Sequence, residues 1–361
     1  MIKLMRTGIA TNSSIVEDYS YTVCDINNIP DKPAIPLKNY LLDLVNNTDD
    51  KNSSIYLKGV EGFIQQIWRE MVENNWKRLR IRKLIPEELG VHSAMFYSYK
   101  NGKKAISIQN LYKLLILWGK YCHKSQKELQ KKWEQIYNSN FTFSVHKVPV
   151  PVRLPKFITP KLSYFLGWFC GDGHLAQHRG HYLINTTEKS IPQLEKILRP
   201  LFEQLFNVKM PLFVYPHKNV LQVGNKPIFR FLTQVLKVKV GEIPEIVKNL
   251  DSINKKYFLT GVFDAEGSVD SSYLNSRIAI HQANYQFLKE MMMLFSDIDI
   301  HFTGPYQHVS KKGVWYHIQL RDKKEIIKFI KEVGTFHLEK FKKIKILEKE
   351  LYAHGYSYNS T

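Results

Sequence analysis

Apolar positions recur at different periods along this chain. Between residues 62 and 79, Phe63, Ile67, Met71 and Trp76 stand near helical spacing, with Arg69, Glu70, Lys77 and Arg78 as charged complement, so an amphipathic helix is expected. From Leu84 to Leu115 the elements shorten. Pro86 suits the first turn of a short helix, with Glu87 and Glu88 at its positive end, and Gly90 gives a sharp turn. Ser93 to Tyr99 reads as a second short helix ended by Asn101-Gly102, and Ser107 caps a third that runs to Gly119. Lys124 to Ile136 is a further helix, capped by Ser125. Residues 138–160 hold Pro149, Pro151, Pro155 and Pro160, which predicts a stiff, extended linker. Residues 1–60 are rich in Asn, Asp and Ser and read as an arm or small subdomain of unassigned role.

Beyond residue 160 the pattern runs twice. An apolar stretch, LSYFLGWFCGDG (Leu162–Gly173), ends on Asp172, and a near-copy, YFLTGVFDAEG (Tyr257–Gly267), ends on Glu266, 94 positions later. After the first come an alternating hairpin (174–188, turning at Arg179-Gly180), a helix (191–205), a hairpin (212–223) and a helix (227–236). The same order follows the second: hairpin 268–283, helix 285–295, hairpin 302–320 around Lys311-Lys312-Gly313, helix 324–333. The expected fold class is therefore α+β: two pseudo-symmetric αββαββα subdomains with antiparallel sheets, at 161–250 and 251–361. An all-α domain at 61–137 and the linker at 138–160 precede them.

Glycine inside an apolar helix costs roughly 1 kcal/mol against alanine. Gly167/Gly171 and Gly261/Ala265 are spaced so that this cost is offset by close approach of the two helices. Each helix then delivers one acid at its negative pole, where charge is disfavoured. Two such acids side by side must hold a cation or keep a proton. Carboxylates without His or Cys ligands nearby suit a hard, oxygen-binding ion such as Mg²⁺, with Mn²⁺ as a substitute.

Composition changes the picture in one respect. Against 33 Asp/Glu stand 52 Lys/Arg, a formal charge of +19, which points to a polyanion and to nucleic acid before an anionic membrane. Hydrophobic content of 44% supports folded cores. Three cysteines without metal-ligand spacing fit a reducing compartment. No apolar run is long enough to span a bilayer or form a signal sequence, so no membrane partner is expected. Cytoplasmic residence is expected, nucleoid-associated in a prokaryote, with an organellar host left open.

The two motifs, FLGWFCGDG (Phe165–Gly173) and LTGVFDAEG (Leu259–Gly267), closely resemble those of LAGLIDADG homing endonucleases in their single-chain, two-motif form. The likeness covers about residues 160–350 and includes Ile243-Pro244, Gly334, Phe336 and Lys340. It implies a monomer that cuts double-stranded DNA at a long asymmetric site. Asp172 and Glu266, with the main chain at Gly171 and Ala265, would hold the metal. A basic residue beside each acid is typical of the family: Lys340 in the second half, Lys237 or Lys239 in the first. The implied groove-facing residues are His174, Gln177, Arg179, His181 and Asn185 in the first half. In the second they are Ser268, Asp270, Arg277, His281, Tyr306, His308, Lys311, Lys312 and Tyr316. Cys170 takes a motif position as packing, and Glu266 in place of Asp makes the two acids unequal.

Residues 62–119 resemble helix-turn-helix domains of the phage-repressor/Cro class, in LGV (Leu89–Val91), NGK (Asn101–Lys103) and the Ser107, Ile108, Leu111, Leu114 pattern. That likeness implies base contacts from His92, Ser93, Ala94, Tyr97 and Ser98, and phosphate contacts from Lys100, Lys103 and Lys104. Arg82 departs from the Gln common in that family. With no N-terminal splicing Cys or Ser and no terminal His-Asn pair, an intron-encoded or free-standing endonuclease is expected rather than an intein. Two other readings share the fold: a non-cutting transcription regulator, typically without the acids, and an RNA maturase acting on its intron.

Overall fold

The computed structural model describes residues 25–37, 40–46, 55–74, 78–145, 148–272, 274–311 and 313–356; Trp76, Lys77 and Lys312 fall outside them. From residue 160 the chain passes twice through one order. The first motif helix spans Pro160–Asp172 and the second Ser252–Glu266. Thr159 caps the first by accepting from the Leu162 amide, with Pro160 at the first helical position, and Asp251 caps the second by accepting from Asn254. At its acid each helix turns straight into a strand.

Both halves then build a four-stranded antiparallel sheet with the same topology. In the first sheet the order is Gly173–His178, His181–Glu188, Lys218–Gly224, Leu212–Tyr215. In the second it is Gly267–Asp270, Arg277–Gln282, Gly313–Leu320, Thr303–Ser310. The two-residue turn Arg179-Gly180 has φ of 47° and 81°, the left-handed geometry that matches strand twist in tight hairpins. Helical segments over 191–206 and 226–235 accompany the first sheet, and Tyr285–Ser296 and Lys323–Glu332 the second. Aromatic clusters fill the cores: Phe165 with Phe202 and Phe206 in the first half, Phe263 with Phe295 and Phe329 in the second. A last helix, Leu338–Ala353, packs beside the second half.

The region before residue 160 differs from the all-α expectation. Its helices, Glu61–Glu73, Arg78–Leu89, Ser93–Lys100, Ile108–Tyr121 and Gln126–Asn138, accompany a four-stranded sheet. That sheet orders Ile106–Ser107, Tyr56–Lys58, Thr142–Val145 and Val148–Val152. Its last strand contains Pro149 and Pro151 and lies at the edge, where a missing N–H costs little. The expected linker is thus partly sheet. Pro86 sits near the end of Arg78–Leu89 instead of opening a helix, because that helix begins eight residues earlier.

The expected arm is also tied in. Ile35–Pro36 pairs with Phe157–Ile158. Tyr40 is buried against Tyr137, Phe143 and Phe231. The Tyr137 hydroxyl lies 2.7 Å from the Leu37 carbonyl, and the Asn254 side-chain amide donates to the Pro33 carbonyl at 3.3 Å. Residues near 33–40 therefore touch both halves.

Candidate active site and nucleic-acid interface

The two motif helices cross at their glycines. A Cβ on Gly167 would stand 1.9 Å from the Phe258 carbonyl oxygen, and one on Gly261 would stand 2.1 Å from that of Tyr164. One turn on, a Cβ on Gly171 would lie 2.7 Å from Ala265 Cβ and 2.9 Å from Glu266 Cγ. Backbone-to-backbone contact of this kind brings the two helix ends together. Asp264, fully buried, adds a polar clamp. It accepts from the Tyr164 hydroxyl (2.9 Å), the Phe336 amide (2.8 Å) and the Thr335 hydroxyl. One side chain thereby joins the first helix, the second helix and the segment leading to Lys340.

Asp172 and Glu266 are partly buried at the ends of this pair. Burial pushes the Asp172 carboxyl up to about 7, with the charges of Glu266 and Glu188 adding to the shift and Lys340 opposing it. Glu266 is raised by burial, against Lys340 and a hydrogen bond from the Gln282 amide at 2.9 Å. Two carboxylates that resist losing both protons form a place for a cation. Among the described residues no three His, Cys, Asp or Glu side chains converge as a metal cage. The donor set is thus two carboxylates plus the carbonyls of Gly171 and Ala265, since those of Cys170, Phe263 and Asp264 already accept from other groups. Such a set fits Mg²⁺, which keeps waters and takes substrate oxygens as its other ligands.

Lys340 reaches this centre from the last helix. Its ammonium donates to the carbonyls of Phe263 (2.9 Å) and Asp264 (2.6 Å), the negative end of the second motif helix. Burial lowers its pKa, while Asp264, Glu188, Asp172 and Glu266 support the charge. Among the described residues, no lysine of the first half stands in the corresponding place. The carbonyl of Cys170, which matches Asp264, accepts instead from the Gly241 amide at 2.8 Å. Lys239 is exposed and paired with Glu242 at 3.3 Å, and exposed Lys237 carries its charge toward Asp43. Neither supplies the expected counterpart of Lys340, because the main chain at Gly241 occupies that position.

Strand register fixes which side chains share a face. In the first sheet Tyr182, Ile184 and Thr186 are buried, and His181, Leu183, Asn185 and Thr187 alternate with them. His174 pairs with Asn185, which pairs with Gln222, so these stand on the open face with His181. Gln177 is opposite Tyr182 and shares its face, a correction to the expected phase. Arg179 sits in the turn. In the second sheet Ser268 shares a row with Ala279, Gln319 and Thr303, and Asp270 with Arg277. His281, His317 and Tyr306 form another row, and His308 lies opposite Trp315. The rings stack: His308 on Trp315 at 4.2 Å, His281 on His317 at 5.6 Å. His317 and Trp315 were missed because the hairpin's phase was uncertain. Tyr316 is in the row of Gln282 and meets Tyr285 of the covering helix edge to face, so it turns away from the open face. Lys311 is exposed at the hairpin tip.

Comparison with known proteins finds a family match in the second half. Residues 254–334 match the model of a LAGLIDADG-like domain. The glutamine–fructose-6-phosphate aminotransferase (isomerizing) of Methanocaldococcus jannaschii is 25% identical over 307 residues, 80% of this chain and 27% of its own length. This chain therefore spans much less than two thirds of that relative. The crystal structure of the homing endonuclease I-DmoI with DNA and calcium is 19% identical, with a TM-score of 0.39, over 49% of this chain and 90% of that chain. The N-terminal LAGLIDADG domain of DUF199/WhiA is 16% identical, with a TM-score of 0.36, over 48% and 82%.

Ahead of the LAGLIDADG-like region, the short helix Ser93–Lys100 follows Arg78–Leu89 after a turn at Gly90 (φ 67°). His92, Ser93 and Ala94 are exposed at its start, as are Lys103 and Lys104 beyond its end. Tyr97 and Ser98 are half-buried. The Tyr97 ring meets Trp68 and lies under the Lys100 ammonium at 4.9 Å, and the Ser98 hydroxyl donates to the Ala94 carbonyl.

Proposed function

We propose that this chain is a site-specific DNA endonuclease that hydrolyses both strands of a duplex with a divalent metal held at Asp172 and Glu266. The observation that carries this reading is the placement of two carboxylates on glycine-packed helix ends, between two sheets whose far faces are open. One chain supplies both halves, so a monomer suffices. A long, asymmetric site follows, because the two open faces carry different side chains: His174, Asn185 and His181 on one, Arg277, His281 and His308 on the other. The exposed start of Ser93–Lys100, with Lys103 and Lys104, extends the footprint as a helix-turn-helix element would. The charge of +19 supports phosphate tracking along it.

In this reading Asp172 and Glu266 would hold Mg²⁺ or Mn²⁺, which when bound would supply an activated water and neutralise charge on a leaving oxygen. Gln282 orients the Glu266 carboxylate through its amide. Lys340, pinned to the helix end, keeps positive charge beside both acids. The reading is tested by Mg²⁺-dependent cleavage of a randomised duplex library. Recovery of one cut sequence supports it, whereas specific binding without cleavage would favour a non-cutting regulator.

A further inference from the structure

The two halves of the centre share a topology, so their residues can be matched through the sheet register. Gly173 pairs with Thr186, and Gly267 pairs with Ile280. Two residues further along each second strand stand Glu188 and Gln282, which are therefore equivalent. They do opposite things. Gln282 gives an amide hydrogen to the motif acid of its own half, Glu266. Glu188 has no hydrogen to give when ionised. Its Oε1 accepts from the amides of Lys189 (2.5 Å) and Ser190 (2.9 Å), and its Oε2 faces His337 Nε2 at 3.5 Å. Its charge also bears on Asp172.

The unequal treatment extends behind the acids. Lys340 binds the carbonyls at the end of the second helix, whereas the Gly241 amide binds that of the first. The Glu266 half thus has a carboxylate oriented by a neighbouring amide, while the Lys340 ammonium bears on both acids and on Glu188. The Asp172 half has an acid without the matching donor, and one more negative charge toward an incoming phosphate.

Resting on the endonuclease reading above, we infer that Glu188 is the positioning residue that slows cutting of the strand served by the Asp172 half. The cut duplex therefore passes through a nicked form. Glu188→Gln is near-isosteric, and its carbonyl can still accept from Lys189 and Ser190. It also removes the charge that bears on Asp172.

The test uses the full chain and a target duplex labelled on each strand in turn, under single-turnover conditions with Mg²⁺. The wild type is expected to cut one strand about tenfold faster than the other, the scale of one charge-assisted hydrogen bond in a barrier. Glu188→Gln is expected to speed the slower strand and leave the faster one unchanged. Gln282→Glu is expected to slow the faster strand alone. Ca²⁺-supported DNA binding, measured on the same proteins, reports folding and target recognition independently of cleavage. Equal strand rates in the wild type would overturn the inference, as would a Glu188→Gln protein that binds but keeps the wild-type strand ratio. Binding without cleavage by the wild type would instead overturn the endonuclease reading, and the inference with it.

Discussion

Gly167 and Phe258 meet so closely that a single methyl group would place carbon 1.9 Å from a carbonyl oxygen. Neither backbone can yield without parting the helices that carry Asp172 and Glu266. Gly167→Ala and Gly261→Ala are therefore expected to destabilise by about 3 kcal/mol or more, the upper range for overpacking. Gly62→Ala is the contrast: nothing lies within 4 Å of a Cβ there, and in Glu61–Glu73 it should stabilise by roughly 0.5–1 kcal/mol. Urea melts of the three variants check the opposite signs.

Asp264 is expected to matter for assembly. Tyr164→Phe removes one of its donors and should cost about 1–3 kcal/mol. Asp264→Ala removes the acceptor shared by Tyr164, Thr335 and the Phe336 amide and should cost more, and it should also loosen the segment that positions Lys340. Hydrogen exchange at Phe336 and His337 measures that loosening directly.

Metal-free stability should fall as pH rises. Asp172 is held up to about 7 in the folded chain, above the ordinary carboxylate value it has when unfolded. A raised group contributes stability in full below its unfolded value, and that contribution is lost as pH climbs through the folded value. Between pH 4 and pH 8 the loss is at most about 4 kcal/mol. Thermal melts in chelator should show it, Asp172→Asn should flatten it, and added Mg²⁺ should offset it above pH 7.

Lys103→Ala with Lys104→Ala tests the N-terminal segment without cutting into structure that the two halves need. If both touch phosphates, the slope of log affinity against log salt should fall by about 2. The cut position should stay the same. An unchanged slope would remove this segment from the interface. Deleting residues 1–150 is the less clean test, because Tyr40 and Tyr137 help to bury the first half.

How much of this was legible in the sequence depended on whether the signal was local. The motif helices were readable because glycine in an apolar helix has a cost that only close packing explains, and the acids mark the ends. Strand phase was half readable: His174 and His281 fell on the open face, whereas Gln177 and Tyr316 did not. A one-residue slip reverses every side chain, and register is set across the sheet rather than along it. Pro149 and Pro151 read as a stiff, extended linker because an edge-strand position is not visible in a single segment. The clamp at Asp264 was missed since an acid inside an apolar run shows its purpose only through partners 72 and 100 positions away. Lys237 and Lys239 were candidates by likeness to Lys340, but a backbone amide at Gly241 does that work and leaves no composition signal. Glu188 acquires meaning only when the two halves are laid over each other.

The most direct measurement of the central claim is cleavage of the selected target by Asp172→Asn and Glu266→Gln proteins in Mg²⁺, beside binding of the same duplex in Ca²⁺. The account predicts that each single substitution lowers the rate of double-strand cutting by at least about a hundredfold while affinity stays within a few-fold of wild type. Cutting by either variant at the wild-type rate would contradict it.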